Sequence, residues 1–215
     1  MAQQASLADQ PSWFFYRIFR GLARAMLCGI RIRVVGFDRI PQGAAIIAPN
    51  HISFLDPPLV CIALQHHSAH FMARKSLFDT AIGWGLRLGH GIPVERGQAD
   101  LKALRGVMQA LKAGRKVVIF PEGTRSITGE LQEFKLGPMI CAQRTGAPIV
   151  PVCVHGHEEL WPIGKKWPRL WGRCTVAFGE PIHPDTFEDS REGALAMSQE
   201  LRERMLRLKE SLGGE

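Results

Sequence analysis

The sequence lacks the features of a membrane-spanning, secreted or cysteine-ligated metal protein. No apolar stretch reaches the roughly 18–20 residues that a bilayer-crossing helix needs, so we expect a chain that does not span a membrane but can lie on one. The N-terminus has no basic segment followed by an apolar one, so we expect no signal peptide. The 5 cysteines form no C-x-x-C pair, which predicts core thiols in a reducing compartment. No G-x-S-x-G elbow occurs, which disfavours a serine hydrolase.

What the chain does have is an excess of positive charge. Lys and Arg number 27 against 20 Asp and Glu, for a net charge of +7 over 215 residues. Such a balance suits an anionic partner: a phospholipid surface, a phosphorylated substrate, an acidic carrier protein or a nucleic acid. Charge alone does not choose among these partners. The length of the chain suggests one domain with room for appendages.

Apolar runs typical of strands alternate with segments of helical periodicity along most of the chain. This order predicts an α/β fold with a mostly parallel central sheet flanked by helices. The predicted strands are residues 32–35, 44–48, 69–73, 116–120, 147–154 and 172–178. The predicted helices are residues 11–30, 57–64, 74–88, 98–113, 135–144 and 192–212.

The first predicted helix is amphipathic, with apolar side chains on one face and arginines on another. The apolar set is Phe15, Ile18, Phe19, Leu22 and Met26, and the basic set is Arg17, Arg20 and Arg24. Two interpretations stay open: the helix lies in a membrane interface, or its apolar face packs on the protein's own core. We predict that residues 1–30 are an N-terminal amphipathic helix, a candidate membrane-surface anchor, and that residues 31–215 form a single domain.

Polar motifs follow three apolar runs. His51 and Asp56 follow the run 44–48, Glu95-Arg96 follows a short apolar piece between glycines, and Glu122-Gly123-Thr124-Arg125 follows the run 116–120. If these runs are parallel neighbouring strands, the motifs meet at one carboxyl edge of the sheet, where open α/β sheets bind ligands. Taken singly, Asp56 reads as a helix N-cap and the later motifs as a surface ion pair and a solvated turn. Together they favour one site.

The residue types at this predicted site suit proton transfer beside an anion. An imidazole is a general base near neutral pH, and a carboxylate on its other nitrogen fixes the tautomer, so we assign these roles to His51 and Asp56. The guanidinium groups of Arg96 and Arg125 can chelate a phosphate or a carboxylate. Glu122 can hydrogen-bond a substrate hydroxyl or brace an arginine. We expect no metal, because the cluster His66, His67 and His70 lacks a Cys or carboxylate at ligand spacing.

Four ordered blocks resemble those of the glycerolipid acyltransferases, above all the bacterial 1-acyl-glycerol-3-phosphate acyltransferases. The specific blocks are N-H-x-S-x-x-D at 50–56 and F-P-E-G-T-R-S at 120–126; the weaker ones are I-P-V-E-R at 92–96 and V-P-V at 150–152. The block at 92–96 departs from the family pattern, with Glu95 for Asp and Pro93 for a larger apolar residue. The stretch A-R-K-S-L at 73–77 is similar to the family's A-K-K-E-L.

The resemblance implies transfer of a fatty acyl group from a thioester to the sn-2 hydroxyl of lysophosphatidic acid, which yields phosphatidic acid. It implies His51 as general base oriented by Asp56, without an enzyme nucleophile or a cofactor. Acyl-CoA or an acyl carrier protein would be the co-substrate. The residues that would bind the acceptor are Arg96, Arg125, Lys75 or its neighbour Arg74, Glu122, Gly123 and Thr124. We expect Asn50 and Ser53 to tie the turn together rather than to move protons.

The same resemblance implies a peripheral membrane protein on the cytoplasmic face of the inner membrane, with no nucleic acid as partner. A stretch in which Trp161, Trp167 and Trp171 mix with cations suits lipid head groups, although the tryptophans could instead cover a small satellite core. Two other functions stay open. One is an acyltransferase of this family with another lysophospholipid or a lyso-aminolipid as acceptor. The other is a lipid- or nucleic-acid-binding module without catalysis.

Overall fold

A computed structural model of the protein describes residues 13–80, 83–89, 91–95, 100–158, 160–161, 167, 169 and 171–213. Strands and helices alternate through these residues. The strands are β1 (Ile30–Val35), β2 (Ala45–Pro49), β3 (Ala69–Arg74), β4 (Ile92–Val94), β5 (Lys116–Val118), β6 (Ile149–His155) and β7 (Gly172–Phe178). The α-helices are α1 (Trp13–Met26), α2 (Asp56–Ala63), α3 (Gly83–Leu88), α4 (Leu101–Lys112), α5 (Gly137–Thr145) and α6 (Arg191–Gly213). Short 3₁₀-helices cover Phe37–Arg39, Lys75–Asp79 and Pro184–Thr186.

The strands form one 7-stranded sheet in the order β1-β7-β6-β2-β5-β3-β4. All neighbours are parallel except β6 and β7, which run antiparallel. The predicted α/β fold with a mostly parallel sheet and flanking helices is therefore confirmed. Because β7 runs against β6, the start of β7 lies at the same edge as the end of β6.

The sheet separates two hydrophobic cores. Alternate residues of β2 point to opposite faces, so that Ile46 packs in one core and Ile47 in the other, both fully buried. The core on the Ile46 face contains apolar residues of α4, α5 and α6, such as Val107, Met139 and Met197. The core on the other face contains apolar residues of α2 and Leu27, which follows α1. Helices thus cover both faces of the strands, and the loops at the strand ends remain to carry polar groups.

Local signals explain where several helices begin and end. Asp100 caps α4, because its carboxylate accepts the backbone N–H groups of Lys102 and Ala103, both at 3.1 Å. Helix α5 ends at Gly146, whose φ of 72° lies in the left-handed region that glycine adopts without strain. Helix α2 has proline in its first turn, where the missing N–H costs no intrahelical hydrogen bond.

The prediction of one helix over residues 74–88 is wrong. Strand β3 continues to Arg74, a 3₁₀-helix follows, and α3 begins only at Gly83. The backbone turns back on itself here, since a Cβ on Gly83 would lie 2.0 Å from the carbonyl oxygen of Phe78. The structure also adds β4, a strand of 3 residues that pairs with β3. A strand this short is below the length at which alternation can be read from a sequence.

Helix α1 exposes three of the five side chains that the sequence grouped as its apolar face, while Phe19 is half-buried and the side chain of Phe15 lies outside the described part of the structure. Ile18 is 40% exposed, Leu22 60% and Met26 50%, while Tyr16 and Ala23 form its buried edge. Of the two interpretations, packing of these three residues on the protein's own core is thus excluded. Within the described residues, none of the helices has both the length and the low polarity that crossing a bilayer would require. The division into residues 1–30 and 31–215 stays a prediction.

Candidate active site

The loops after three parallel strands meet at one edge of the sheet. Strand β2 pairs in parallel with β5 on one side and with β6 on the other. The loop after β2 carries His51 and Asp56, the loop after β5 carries Glu122, and the loop after β6 carries His157. The predicted convergence of the His51/Asp56 motif and the Glu122 motif at a carboxyl edge is therefore confirmed, and a residue that the sequence did not single out, His157, joins them.

His51 and Asp56 form a hydrogen-bonded pair. The Nδ1 atom of His51 lies 2.8 Å from Oδ2 of Asp56, and the same oxygen accepts the backbone N–H groups of Ile52 at 2.7 Å and Ser53 at 2.9 Å. A carboxylate is an acceptor, so Nδ1 of His51 carries a proton, and in the neutral tautomer Nε2 is the basic nitrogen. Because the His51 side chain is partly exposed, this basic nitrogen belongs to an imidazole that a substrate can approach.

Asp56 is not a helix N-cap, although it is the first residue of α2. Its carboxylate turns back to the preceding loop and is fully buried there. Burial by itself would raise the pKa of Asp56, but hydrogen bonds from His157 and His51 more than offset burial and hold the pKa below its ordinary value of 3.8. Asp56 is therefore an anion at neutral pH, which is the state that stabilises a protonated His51.

His157 contacts the other oxygen of the same carboxylate. Its Nε2 atom forms an ion-pair contact with Oδ1 of Asp56, and the His157 side chain is fully buried. Asp56 thus lies between two imidazoles, only one of which is accessible. Sequence reasoning missed His157, yet the signal that found His51 was present: a polar residue directly after an apolar, strand-like run. The carboxyl edge then identifies it.

Glu122 fixes the loop after β5 to the turn after β2. Its Oε1 atom accepts the backbone N–H of His51 at 2.8 Å, and Oε2 accepts the backbone N–H of Gln132 at 3.0 Å. In return, the N–H of Ser126 donates to the carbonyl oxygen of His51 at 2.7 Å. The ring of Phe120 lies against the His51 imidazole, with centroids 4.2 Å apart. The catalytic candidate is therefore held through its backbone as well as its side chain.

The contacts of Glu122 differ from those the sequence suggested. Both carboxylate oxygens serve backbone N–H groups of the protein, and the side chain is buried. Its neighbours Gly123 and Thr124 are exposed on the same loop. Gly123 has a φ of 68°, in the left-handed region where a residue with a Cβ would be strained, so this turn favours glycine. A substrate-binding role for Glu122, Gly123 and Thr124 stays a prediction.

Asn50 and Ser53 tie the turn after β2 to the rest of the protein. The amide of Asn50 bridges to Val154 in β6, donating to its carbonyl at 3.0 Å and accepting its N–H at 2.7 Å. The hydroxyl of Ser53 donates to the carbonyl of Trp161 at 3.1 Å and accepts the N–H of Leu55 at 3.2 Å. The prediction that these two residues hold the turn is confirmed.

Arg125 lies beside the His51–Asp56 turn. Its guanidinium sits over the ring of Phe54, 3.5 Å from the ring centroid, and Phe54 in turn contacts Trp161 with centroids 5.3 Å apart. The neighbouring Ser126 bonds His51 directly, so Arg125 and the imidazole belong to the same side of the molecule. The Arg125 side chain is half-buried, which restricts the directions in which its guanidinium can point.

The remaining predicted cations lie farther along the same edge. Strands β3 and β4 run parallel to β5, and Lys75 follows β3 as Glu95 follows β4. Nζ of Lys75 lies 2.5 Å from Oε1 of Glu95, and both side chains are exposed. Arg74 ends β3 and is also exposed. The predicted phosphate ligand Arg96 lies outside the described residues.

The described part of the chain offers no activated thiol and no metal centre near the pair. Burial raises the pKa of Cys141, Cys153 and Cys174 to about 12 and that of Cys61 to about 11, so these side chains are neutral thiols near pH 7. No group of three or more His, Cys, Asp or Glu side chains among the described residues could hold a metal ion. The chemistry that this geometry supports is removal of a proton by His51 from a bound hydroxyl.

Comparison with known proteins agrees with this geometry. Residues 31–155 match the family model described as Acyltransferase. A 1-acyl-sn-glycerol-3-phosphate acyltransferase of Bacillus subtilis (strain 168) is 30% identical over 185 residues, which cover 84% of this chain and 89% of that protein. A chloroplastic 1-acyl-sn-glycerol-3-phosphate acyltransferase of Arabidopsis thaliana is 31% identical over 158 residues. Those residues are 71% of this chain but only 44% of the plant protein.

A solved structure gives the same result for the fold. The 1-acyl-sn-glycerophosphate acyltransferase PlsC of Thermotoga maritima superposes with a TM-score of 0.76 at 27% identity, covering 90% of this chain and 79% of that one. The family match spans all the strand-end loops that carry the predicted blocks, from β1 to the end of β6. The chain belongs to the acyltransferase family.

Proposed function

We propose that the protein transfers a fatty acyl group from an acyl thioester to the sn-2 hydroxyl of 1-acyl-glycerol-3-phosphate, making phosphatidic acid. The observation that carries this proposal is the accessible His51 imidazole, fixed by a buried carboxylate at 2.8 Å at the edge of the sheet. The printed names of the similar proteins from Bacillus and Arabidopsis, and of the similar structure, supply the substrate class.

In this reaction, Nε2 of His51 removes the proton from the 2-hydroxyl group as its oxygen attacks the thioester carbonyl. Asp56 stabilises the imidazolium that forms. The carbon–sulfur bond of the tetrahedral intermediate then breaks, the ester is released, and His51 returns the proton to the departing thiolate. No covalent acyl-enzyme is needed, so both substrates bind together. Acyl-CoA or an acyl carrier protein is the donor, and no cofactor takes part.

The acceptor's phosphate would bind the cations at the same edge. Arg125 is the best-supported of them, because Phe54 and the Ser126–His51 hydrogen bond hold it beside the proposed base. Arg96 would add a second guanidinium. Lys75 and Arg74 are exposed and can reach for a mobile ligand, although Lys75 must exchange Glu95 for the phosphate. Gly123 and Thr124 would contact the glycerol part. Glu122 would act on the glycerol part indirectly, by holding the backbone at His51 and Gln132.

We propose that the protein works on a membrane surface, at the cytoplasmic face of the inner membrane, where acyl thioesters are available. Ile18, Leu22 and Met26 form an outward apolar face on α1. Arg17, Arg20 and Arg24 lie beside this face on the same helix. Together with Gln65 and His66, which follow α2, they line a groove of about 590 Å³. Such a helix can bury its apolar side chains among acyl chains while its arginines stay at head-group level.

Exposed tryptophans support the same orientation. Trp171 directly precedes β7, and the N–H of Gly172 donates to the carbonyl of Gly29, close to the end of α1. Trp167 is also exposed, whereas Trp161 packs partly on the core. Because β7 starts at the edge where β6 ends, Trp171 and the proposed base would face one lipid surface.

An acceptor and donor panel tests the reaction. Purified protein is mixed with acyl-CoA or acyl carrier protein and with lysophosphatidate, another lysophospholipid, a lyso-aminolipid or a neutral monoacylglycerol. We expect thiol release and phosphatidate only where the acceptor carries a phosphomonoester. Equal rates with neutral head groups would favour a different lysolipid as substrate. Tight binding to duplex DNA without turnover of any thioester would favour a binding module.

Vesicle binding tests the surface. Leu22→Glu places a charge on the outward face of α1, and Leu195→Glu is its matched control, since Leu195 is an exposed leucine on α6. We expect the first variant to lose co-sedimentation with phosphatidylglycerol vesicles and the second to keep it. Equal binding by both variants would contradict the proposed orientation.

A further inference from the structure

His157 is as fully buried as Asp56 at the carboxyl edge. Its side chain is fully buried, so it cannot touch a substrate, yet its Nε2 contacts the carboxylate that orients His51. The preceding Gly156 has a φ of 81°, and a Cβ there would lie 3.1 Å from the carbonyl oxygen of Arg173. This glycine turn lets the chain leave β6 and direct the imidazole inward.

The contacts of Asp56 show why that imidazole matters. Oδ2 of Asp56 has three donors, from His51, Ile52 and Ser53. Among the described residues, Oδ1 has only the Nε2 contact of His157. Rotation or protonation of a buried carboxylate becomes easier when one of its oxygens loses its donor, because an unpartnered buried anion is costly.

The tautomer of His157 follows from its surroundings. Its Nδ1 has no hydrogen-bond partner among the described residues, so a proton there would be a buried donor without an acceptor. If Nε2 carried no proton, its lone pair would point at a lone pair of the Asp56 carboxylate, and the two would repel each other. A proton on Nε2, directed at Oδ1 of Asp56, avoids the repulsion between the two lone pairs.

We propose that His157 is a positioning residue for the acyl transfer: its Nε2–H holds Oδ1 of Asp56 so that Oδ2 stays on Nδ1 of His51. The role rests on the proposed function, in which His51 is the base. His157 moves no proton itself. It acts through Asp56, and its loss changes the orientation of the His51 ring and the charge opposite it.

Variants at position 157 separate this role from packing. His157→Leu removes the donor at similar volume, His157→Asn keeps an amide too short to reach Oδ1, and His157→Gln places an amide nitrogen near the position of Nε2. We expect kcat to fall about 10- to 100-fold in the Leu and Asn variants, the range for loss of one charge-assisted hydrogen bond. The KM for lysophosphatidate should stay within about twofold. The Gln variant should regain most of the lost kcat.

Two further measurements complete the test. In an Asp56→Asn background, His157→Leu should lower kcat by less than about threefold, because residues that act as a unit are not additive. His155→Gln is the matched control at the end of β6, since His155 pairs with Glu158 instead, and it should keep full activity. Equal losses in the Leu and Gln variants, or full additivity with Asp56→Asn, would overturn the positioning role in favour of packing.

A readout without turnover keeps this inference separate from the proposed function. In ¹⁵N-labelled protein, the Nδ1–H of His51 should give a downfield signal that wild type and His157→Gln share and that His157→Leu and His157→Asn lose. If wild type fails to acylate lysophosphatidate but this pattern holds, the proposed function fails and the positioning contact stands. If all four proteins give the same signal, the positioning contact is refuted whatever the substrate.

Discussion

Two buried carboxylates lie at the same edge of the sheet but have different hydrogen-bond partners. Asp56, on the turn after β2, receives two imidazole contacts as well as two backbone N–H groups. Glu122, on the loop after β5, receives two backbone N–H groups and no imidazole nitrogen among the hydrogen bonds of the described residues. Burial would raise the pKa of both. In Asp56 the donors more than offset burial, and the pKa lies below its ordinary value; in Glu122 burial dominates, and the pKa lies above it.

We interpret this difference as that between the proposed catalytic charge, Asp56, and a structural brace, Glu122. A carboxylate that must face an imidazolium during turnover needs to remain ionised, and the donors around Asp56 secure this. Glu122 serves two backbone N–H groups and carries its charge at a cost in desolvation. We therefore expect substitutions at Asp56 to act mainly on kcat, substitutions at Glu122 to act mainly on stability, and substitutions at the exposed cations to act mainly on KM.

Among substitutions that leave the His51 imidazole in place, the largest effect should follow from Asp56→Asn. The amide keeps the size of the side chain but removes the negative charge and allows the wrong tautomer of His51, so kcat should fall by roughly 10³- to 10⁴-fold. Thiol release at saturating lysophosphatidate measures this loss. Asp185→Asn, at an exposed position, is the control and should keep wild-type kcat. A drop below tenfold in Asp56→Asn would mean that the carboxylate does not assist the base.

Glu122→Gln should affect stability more than chemistry. The amide group turns one N–H donor toward the backbone N–H of His51 or Gln132, which leaves a buried donor unsatisfied and should cost about 1–3 kcal/mol. Urea unfolding measures the loss, with the exposed Glu133→Gln as control. If Glu122→Gln matched wild type in stability but lost kcat as completely as Asp56→Asn, the assignment of Glu122 as a brace would be wrong.

The two carboxylates should also respond to pH with opposite sign. The folded-state pKa of Asp56 is depressed, so its contribution to stability is present above 3.8 and is lost as pH falls below that value. The folded-state pKa of Glu122 is raised, so the folded state gains stability from this group as pH falls toward 4.5.

Urea unfolding between pH 7 and pH 3 measures the pH dependence of stability that each carboxylate causes. The advantage of wild type over Asp56→Asn should stay constant down to about pH 4 and then shrink, following the ordinary pKa of Asp56. The stability of wild type relative to Glu122→Gln should rise as pH falls through the raised pKa of Glu122. Parallel curves for the two pairs would show that the carboxylates share one environment.

The smallest effect should come from the exposed cation. Lys75→Met should raise the KM for lysophosphatidate by roughly tenfold, the effect of one charged hydrogen bond, and leave kcat within about twofold. Lys112→Met, on α4 at the opposite edge, is the control. Glu95→Gln releases Lys75 and should lower the KM or leave it unchanged. A KM unaffected by Lys75→Met would remove Lys75 from the acceptor site.

The meeting of His51 and Glu122 at one edge of the sheet could be predicted from the sequence because both residues follow buried strands. The apolar runs before His51 and Glu122 identify β2 and β5, and parallel pairing then brings their ends together. The same rule applied to β6 would have found His157. It was overlooked because no single-residue signal distinguishes His157 from His155, and only the path of the chain after Gly156 buries one of them.

Other features could not be read from the pattern. Periodicity reports that α1 has an apolar face but not what covers it, and the structure buries Tyr16 and Ala23 instead of Leu22. The break in the predicted helix over 74–88 depends on a close backbone approach at Gly83, which is a tertiary contact. The antiparallel pairing of β7 likewise depends on how the chain returns to the sheet after β6.

The most direct test of the central claim is the rate of thiol release by His51→Ala in the presence of acyl-CoA and lysophosphatidate. The variant removes the accessible imidazole and leaves Asp56 with His157 and its backbone donors, so the fold should persist, which a melting curve checks. We predict that phosphatidate formation falls to the background of the uncatalysed mixture. Thiol release at the wild-type rate by folded His51→Ala would contradict it.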